Sequence, residues 1–160
     1  MAKKTQPMRI LEGAGVPYDV IDFPEEVHDA AGVAEFAGEP LSHVYKTLVV
    51  VREQGKPLLV MVAADKTLNL KKLAAALGEK KLRMAKHAEA ERLTGLKVGG
   101  IGALALIHKS FAVLLDRPAL DLPYVLVSPG QRGLNLRVPV QGLIEVTGAQ
   151  VVEATDDPEA

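Results

Sequence analysis

Two apolar, β-branched runs constrain this chain most. Val44-Tyr-Lys-Thr-Leu-Val-Val-Val-Arg52 and Leu58-Leu-Val-Met-Val-Ala-Ala64 are separated by Glu53-Gln-Gly-Lys-Pro57. Short runs of this composition, bounded by turn residues, read as strands, and the spacer predicts a hairpin with a slightly long loop. The chain has 160 residues, 48% of them apolar. A chain of that length buries roughly two-thirds of its unfolded surface, which is enough for a core without covalent staples. Disorder is excluded as its overall state. There is no cysteine, which excludes disulfide frameworks, thiolate zinc sites, iron–sulfur clusters and cysteine nucleophiles together.

Elements with helical and strand patterns are interspersed with that hairpin. Residues 5–14 pattern as a short helix, with Met8, Ile10, Leu11 and Ala14 on one side and Gly13 and Gly15 at its end. Residues 18–23 read as a strand with Tyr18, Val20 and Ile21 inward. Residues 29–38 read as a helix with Val33, Phe36 and Ala37 inward. Asn69 caps a helix running to Leu77 and stopped by Gly78, and 87–94 forms another, closed by Gly95. Strands are expected at 111–115, 124–128 and 134–138, a helix at 140–147 and a last strand at 150–153. No linker or repeat divides the chain, so residues 1–160 are expected to form one domain, frayed at 156–160. The fold class expected is α/β, a mixed sheet or distorted barrel with helices packed outside.

The basic start is not followed by an apolar stretch, and the longest apolar runs fall far short of the roughly 20 residues that span a bilayer. The expectation is a soluble, cytoplasmic protein with no membrane partner. Aromatic residues make up 4% and tryptophan is absent, which argues against a stacking platform for single-stranded nucleic acid. The formal charge is −1, and as a total it argues against a polyanion partner. Its distribution argues otherwise. Residues 11–40 hold eight acids and no Lys or Arg, whereas residues 66–97 hold nine bases against three acids. Such asymmetry points to a polyanion, or to an ordinary solvated helix face. Nothing resembles a groove-reading motif, so no DNA partner is expected.

Searches for familiar chemistry fail informatively. His28, His43, His87 and His108 show no metal-ligand spacing, and no zinc or other cofactor is expected. Neither GxSxG nor a P-loop occurs, and Ser42, Ser110 and Ser128 are the only serines, a poor basis for a catalytic triad. Two features stand out. Lys46 heads an apolar strand, where it either snorkels to water or holds an anion at a pocket rim. Gly99, Gly100 and Gly102 interrupt an apolar run, marking either a bulge or close approach of backbone to a ligand.

Four segments taken together resemble the YbaK family, also called the prolyl-tRNA synthetase-associated or INS-type editing domain. They are Tyr45-Lys-Thr-Leu48, then Leu68-Asn-Leu-Lys-Lys-Leu73 with Ala76-Leu-Gly-Glu-Lys-Lys-Leu82, then Thr94-Gly with Val98-Gly-Gly-Ile101, and Ser128-Pro-Gly-Gln-Arg-Gly-Leu134. The likeness runs from about residue 8 to 153 and is nearest to the free-standing Cys-tRNA(Pro) deacylase branch. It implies a compact α/β domain with a barrel-like mixed sheet, and trans-editing at the 3′ end of an aminoacyl-tRNA without metal or protein nucleophile.

By that resemblance, Lys46 contacts the 3′-terminal nucleotide, and Gly99 and Gly100 position the acyl group as catalytic elements. Tyr45, Thr47, Ile101, Ser128 and Gly130 line the substrate pocket. Phe23, Gly102-Ala103 and Asn135 depart from the branch, where Tyr, Ser-Pro and Asp are usual. Phe23 and Asn135 thereby become candidate specificity residues. The basic stretch supplies candidate tRNA contacts at Lys66, Lys71, Lys72, Lys80, Lys81 and Arg83. The function expected is deacylation of Cys-tRNA(Pro), by the substrate's thiol or by water, with prolyl-tRNA synthetase as a candidate partner. The alternatives are a deacylase for Ala or Ser on tRNA, a non-catalytic tRNA- or synthetase-binding module, or a small-ligand or peptide-binding domain.

Overall fold

The computed structural model describes residues 4–24, 26–27 and 29–157. Glu25, His28 and the last three residues of the tail lie outside them. The helices begin where the chain offers an acceptor side chain. Thr5 Oγ1 accepts from the Met8 N–H ahead of α1 (Gln6–Gly13). Asp29 accepts from Gly32 at the start of α2 (Ala30–Ala37). Asn69 accepts from Lys72 at the start of α3 (Leu70–Leu77). Each side chain satisfies an amide that the first helical turn leaves open. α4 (His87–Thr94) and α5 (Val140–Thr147) complete the set.

The expected hairpin forms from β2 (Tyr45–Arg52) and β3 (Leu58–Ala63), with Lys46 opposite Val62. All six β3 residues are buried. β3 is also paired in parallel with β6 (Ala112–Asp116), which is paired in parallel with β9 (Gln150–Val152). β5 (Leu82–Met84) adds to the other edge of β2, giving a mixed five-stranded sheet in the order β5-β2-β3-β6-β9. A second, antiparallel sheet joins β1 (Asp19–Asp22), β8 (Leu134–Pro139) and β7 (Tyr124–Val127) in the order β1-β8-β7. A bridge between Val44 and Leu126 stitches the two sheets together. The outcome is the expected α/β class with a mixed, barrel-like sheet and helices around it.

Alternation along β2 sends Tyr45 and Val49 into the main core with Leu115, Leu136 and Leu143. It sends Leu48 and Val50 into a second cluster beneath Leu73 of α3. No described helix is long and apolar enough to cross a membrane.

Three expectations need correction. Val20 is 42% exposed and Phe36 54% exposed. β1 is an edge strand, and Phe36 covers Phe23 from outside with ring centroids 6.0 Å apart. Residue 156 is not frayed, because β10 (Thr155–Asp156) pairs with β4 (Thr67–Leu68). The apolar run after the glycines, for which no element was expected, folds as 3₁₀ turns over Ala103–Lys109.

Candidate active site

β5 pairs with β2 only from Val50 onward, so the N-terminal half of β2 keeps an uncovered edge. A cavity of about 440 Å³ opens there. β2 supplies Tyr45, Lys46 and Thr47, and the loop after α4 supplies Val98, Gly99 and Ile101. Ser128 follows β7, Asn135 comes from β8, and Asp29 and Ala30 come from the start of α2. Residues separated by more than a hundred positions therefore meet at one edge. The second sheet closes against the first at that edge.

The structure brings together Tyr45, Lys46, Thr47, Gly99, Ile101, Ser128 and Asn135. Lys46 is exposed at the rim, and among the described residues no carboxylate lies within ion-pair distance of it. Thr47 is buried, and its Oγ1 accepts from the Ala103 N–H at 3.3 Å, tying β2 to the far side of the glycine loop. Ser128 Oγ donates to the Gly100 carbonyl at 2.9 Å and accepts from the Gly130 N–H at 3.1 Å. That hydroxyl holds two segments together, with no base paired to it to make it a nucleophile. Asn135 is 7% exposed and donates to the Leu134 carbonyl.

The remaining expected site residues lie elsewhere. Phe23 is buried with Val33 and Val44, behind the cavity wall that those two residues line. Gly100 and Gly130 line a neighbouring hollow of about 400 Å³ with Lys97 and Arg132. The Gly100 N–H is spent on the Lys97 carbonyl at 2.8 Å, whereas the Gly99 and Ile101 N–H groups have no acceptor among the described residues. Tyr45 contributes to the cavity wall, but its side chain is only 3% exposed and its hydroxyl is buried without a partner. Burial, and then the carboxylates of Asp116, Asp65 and Asp121, push that phenol well above the usual tyrosine range.

The glycine loop owes its path to close packing. Gly99 has φ of +95°, a region that only glycine enters readily. A Cβ on Gly102 would stand 2.0 Å from the Ser128 carbonyl oxygen, and one on Gly100 would stand 2.9 Å from the Arg132 nitrogen. The loop and the 128–132 turn meet backbone to backbone.

The basic stretch is less open than its sequence suggests. Lys72 Nζ donates to Asp156 and to the Thr155 carbonyl, both at 2.8 Å, and Lys66 pairs with Asp157. Arg83 forms a two-pronged bridge to Glu89 at 2.7 and 2.8 Å. With the Lys86 N–H as a further donor, Arg83 holds the Glu89 carboxyl down at about 2. Lys71, Lys80 and Lys81 have no carboxylate within ion-pair distance among the described residues.

Sequence reasoning missed Asp29, Met84 and His87, which line the cavity, and Glu91 and Arg132, which bond to the Val98 peptide. Arg132 stands within the Ser128–Leu134 segment that carries the family resemblance but was given no role there, and no local pattern marks the other four as site residues.

Residues 24–146 match the aminoacyl-tRNA editing domain family. The chain belongs to that family. An Enterococcus faecalis protein, EbsC, provisionally named a Cys-tRNA(Pro)/Cys-tRNA(Cys) deacylase, is 32% identical over 155 residues, 96% of this chain and 94% of the relative. A proline–tRNA ligase of Lactobacillus delbrueckii is 31% identical over 101 residues, 62% of this chain but only 17% of the ligase. A solved structure described provisionally as a trans-editing enzyme for prolyl-tRNA synthetase superposes with a TM-score of 0.80 at 26% identity. The match covers 96% of this chain and 99% of that one. A second, the hypothetical protein APE2540, gives 0.85 at 26% identity over 92% and 97%. The editing-domain family and its mixed α/β fold, both expected from four short motifs, are therefore borne out.

Proposed function

We propose that this chain is a trans-editing deacylase that clears mischarged tRNA, with Cys-tRNA(Pro) as its first substrate. The observation that carries the reading is one cavity with Lys46 at its rim and the Gly99 and Ile101 amides on its wall, the ammonium unpaired and both amides unengaged among the described residues. Membership of the editing-domain family gives the aminoacyl ester as substrate class. The deacylase name of EbsC supports cysteine as the acyl group and tRNA(Pro) as the carrier.

An aminoacyl ester is already activated, so orientation and a held oxyanion supply most of the catalysis. The Lys46 ammonium acts as a point charge on the terminal phosphate. The Gly99 and Ile101 amides receive the carbonyl oxygen as it gains charge. The acyl C–O bond breaks and the 3′ oxygen leaves as a hydroxyl. The attacking group, the substrate's own thiol or a water, delivers its proton to that oxygen. Ser128 and Thr47 are already engaged in holding the loop, which fits a mechanism without a protein nucleophile. Lys71, Lys80 and Lys81 extend the positive surface for the acceptor stem, and prolyl-tRNA synthetase is the partner that would present such a tRNA.

Deacylation of Cys-, Ala- and Ser-charged tRNA(Pro), with Lys46→Ala as control, tests the proposal. Cysteinyl ester is expected to turn over fastest, and Lys46→Ala to lose at least about 100-fold in rate with its melting temperature unchanged. Undiminished turnover in Lys46→Ala, or no turnover of any of the three esters by the unmodified chain, would overturn it.

A further inference from the structure

Val98 and Gly99 share one peptide unit whose two polar ends lie on opposite sides of the loop. The Val98 carbonyl accepts from Arg132 Nε at 2.8 Å and from Arg132 Nη2 at 2.5 Å. Arg132 lines the hollow behind the loop and not the cavity, whereas Gly99 lines the cavity. Across a trans peptide the C=O and the following N–H point in opposite directions. Anchoring the carbonyl to the rear therefore aims the Gly99 N–H toward the cavity, where it has no acceptor among the described residues. The preceding peptide is held as well. The Val98 N–H donates to Glu91 Oε2 at 2.8 Å, and that bond, followed by the charges of His87 and Arg132, keeps the Glu91 carboxyl below its ordinary range.

We infer that Arg132 and Glu91 are positioning residues for deacylation, Arg132 holding the Val98 carbonyl and Glu91 the Val98 N–H of the preceding peptide, so that the Gly99 amide is aimed and polarised as an oxyanion donor. Two mechanisms add. Two guanidinium N–H groups converge on the one carbonyl oxygen, and holding that oxygen restrains the peptide plane more firmly than a single donor would. A cation on the carbonyl also withdraws electron density through the peptide, strengthening the N–H at its other end as a donor. This second effect needs the charge of Arg132 and not merely its bulk. Glu91 reaches the loop from α4 and Arg132 from the turn after β7, so the clamp ties the loop to two separate elements.

The inference rests on the deacylase reading, and its test separates the two. Arg132→Gln, Arg132→Lys, Glu91→Ala and Glu91→Gln are compared with the unmodified chain in single- and multiple-turnover deacylation and by ¹H–¹⁵N correlation spectra. Arg132→Gln is expected to lower kcat by about 10- to 100-fold with KM within about twofold, because an oxyanion donor acts in the transition state. Arg132→Lys keeps the charge without the fork and is expected to recover part of the loss. Glu91→Gln keeps an acceptor for the Val98 amide and is expected to stay near full rate, whereas Glu91→Ala falls. In the spectra, Arg132→Gln is expected to move the Gly99 amide proton upfield.

Arg132→Gln and Glu91→Ala both retaining kcat within twofold, or losing rate only in proportion to an unfolded fraction, would overturn the clamp. If the unmodified chain deacylates nothing but the Gly99 shift appears, the deacylase reading fails, and with it the catalytic part of the inference, while the aiming of the Gly99 amide by Arg132 is upheld. An unmoved Gly99 resonance overturns the clamp in either case. Should Arg132→Gln fail to fold, Arg132→Lys and the two Glu91 variants still decide.

Discussion

Gly102 is the position where one added methyl should do most damage. Its backbone, at φ −146° and ψ 136°, is ordinary extended conformation open to any residue, so the cost of Gly102→Ala comes from contact and not from strain. The new Cβ would lie 2.0 Å from the Ser128 carbonyl oxygen and 2.9 Å from its carbon, against a floor of 3.0 Å for real Cβ contacts. The loop or the turn must therefore retreat by about an ångström. Overpacking a tight site costs about 1–3 kcal/mol. The retreat also pulls on the Ser128–Gly100 hydrogen bond, which is worth about 1 kcal/mol. The sum is about 2–4 kcal/mol. For a chain of this size each kcal/mol moves Tm by roughly 2–4 °C, so the expected fall is about 4–16 °C. Scanning fluorimetry and urea titration measure it directly. Gly13→Ala is the control, because a Cβ there meets nothing within 4 Å and helix propensity favours alanine by about 0.5–1 kcal/mol. A Gly102→Ala protein melting within 1 °C of the parent would refute the backbone-to-backbone packing of this loop.

Other consequences are as direct. Tyr45→Phe removes a buried hydroxyl that has no partner among the described residues, and is expected to leave stability unchanged or raise it by about 1 kcal/mol. A loss beyond that in urea titration would mean that the hydroxyl is bonded after all. Glu89, held at about 2 by Arg83 and the Lys86 amide, has a folded-state pKa below its unfolded value. Its contribution is therefore present above about pH 4.5 and lost as pH falls toward 2. The melting temperatures of the parent and Glu89→Gln are expected to differ at pH 6 and to converge by pH 2. A gap that persists at pH 2 would place the effect elsewhere. Neutralising the C-terminal carboxylates with Asp156→Asn and Asp157→Asn releases Lys72 and Lys66. In filter binding, tRNA affinity is then expected to rise several-fold at about 50 mM salt, with a steeper salt dependence. An unchanged slope would remove both lysines from the tRNA surface.

What the sequence disclosed was largely local. Asn69, Asp29 and the glycines after α2, α3 and α4 act within a few residues, and the structure places caps there. The β2–β3 hairpin likewise depends on one short loop. The parallel pairing of β3 with β6 and of β6 with β9 left no local trace, because register between distant strands is decided by packing. β5 is only Leu82-Arg-Met84, too short to show a period. Lys46 was legible as an ammonium where an apolar strand offers no reason for one. Arg132 and Glu91 were not, because each acts on a backbone group brought to it by the fold, and a backbone carbonyl carries no signature in sequence. The charge reading failed differently. Sequence counted the lysines of 66–97 correctly but could not show that Asp156 and Asp157 return to neutralise two of them.

The pairing of β1 with β8 carries a consequence for the protein's birth. Asp19 lies opposite Arg137 and Ile21 opposite Asn135, so the second sheet cannot form until residue 137 has left the ribosome, more than a hundred residues after β1. Translation adds roughly 5–20 residues per second. For several seconds, then, the finished β2–β3 hairpin stands with its apolar faces uncovered. A half-made chain has Lys46 but no cavity around it, so it can neither capture nor cleave an ester. Editing capacity would appear in one step, once β8 has emerged, and the interval before it is when a nascent chain most needs a chaperone.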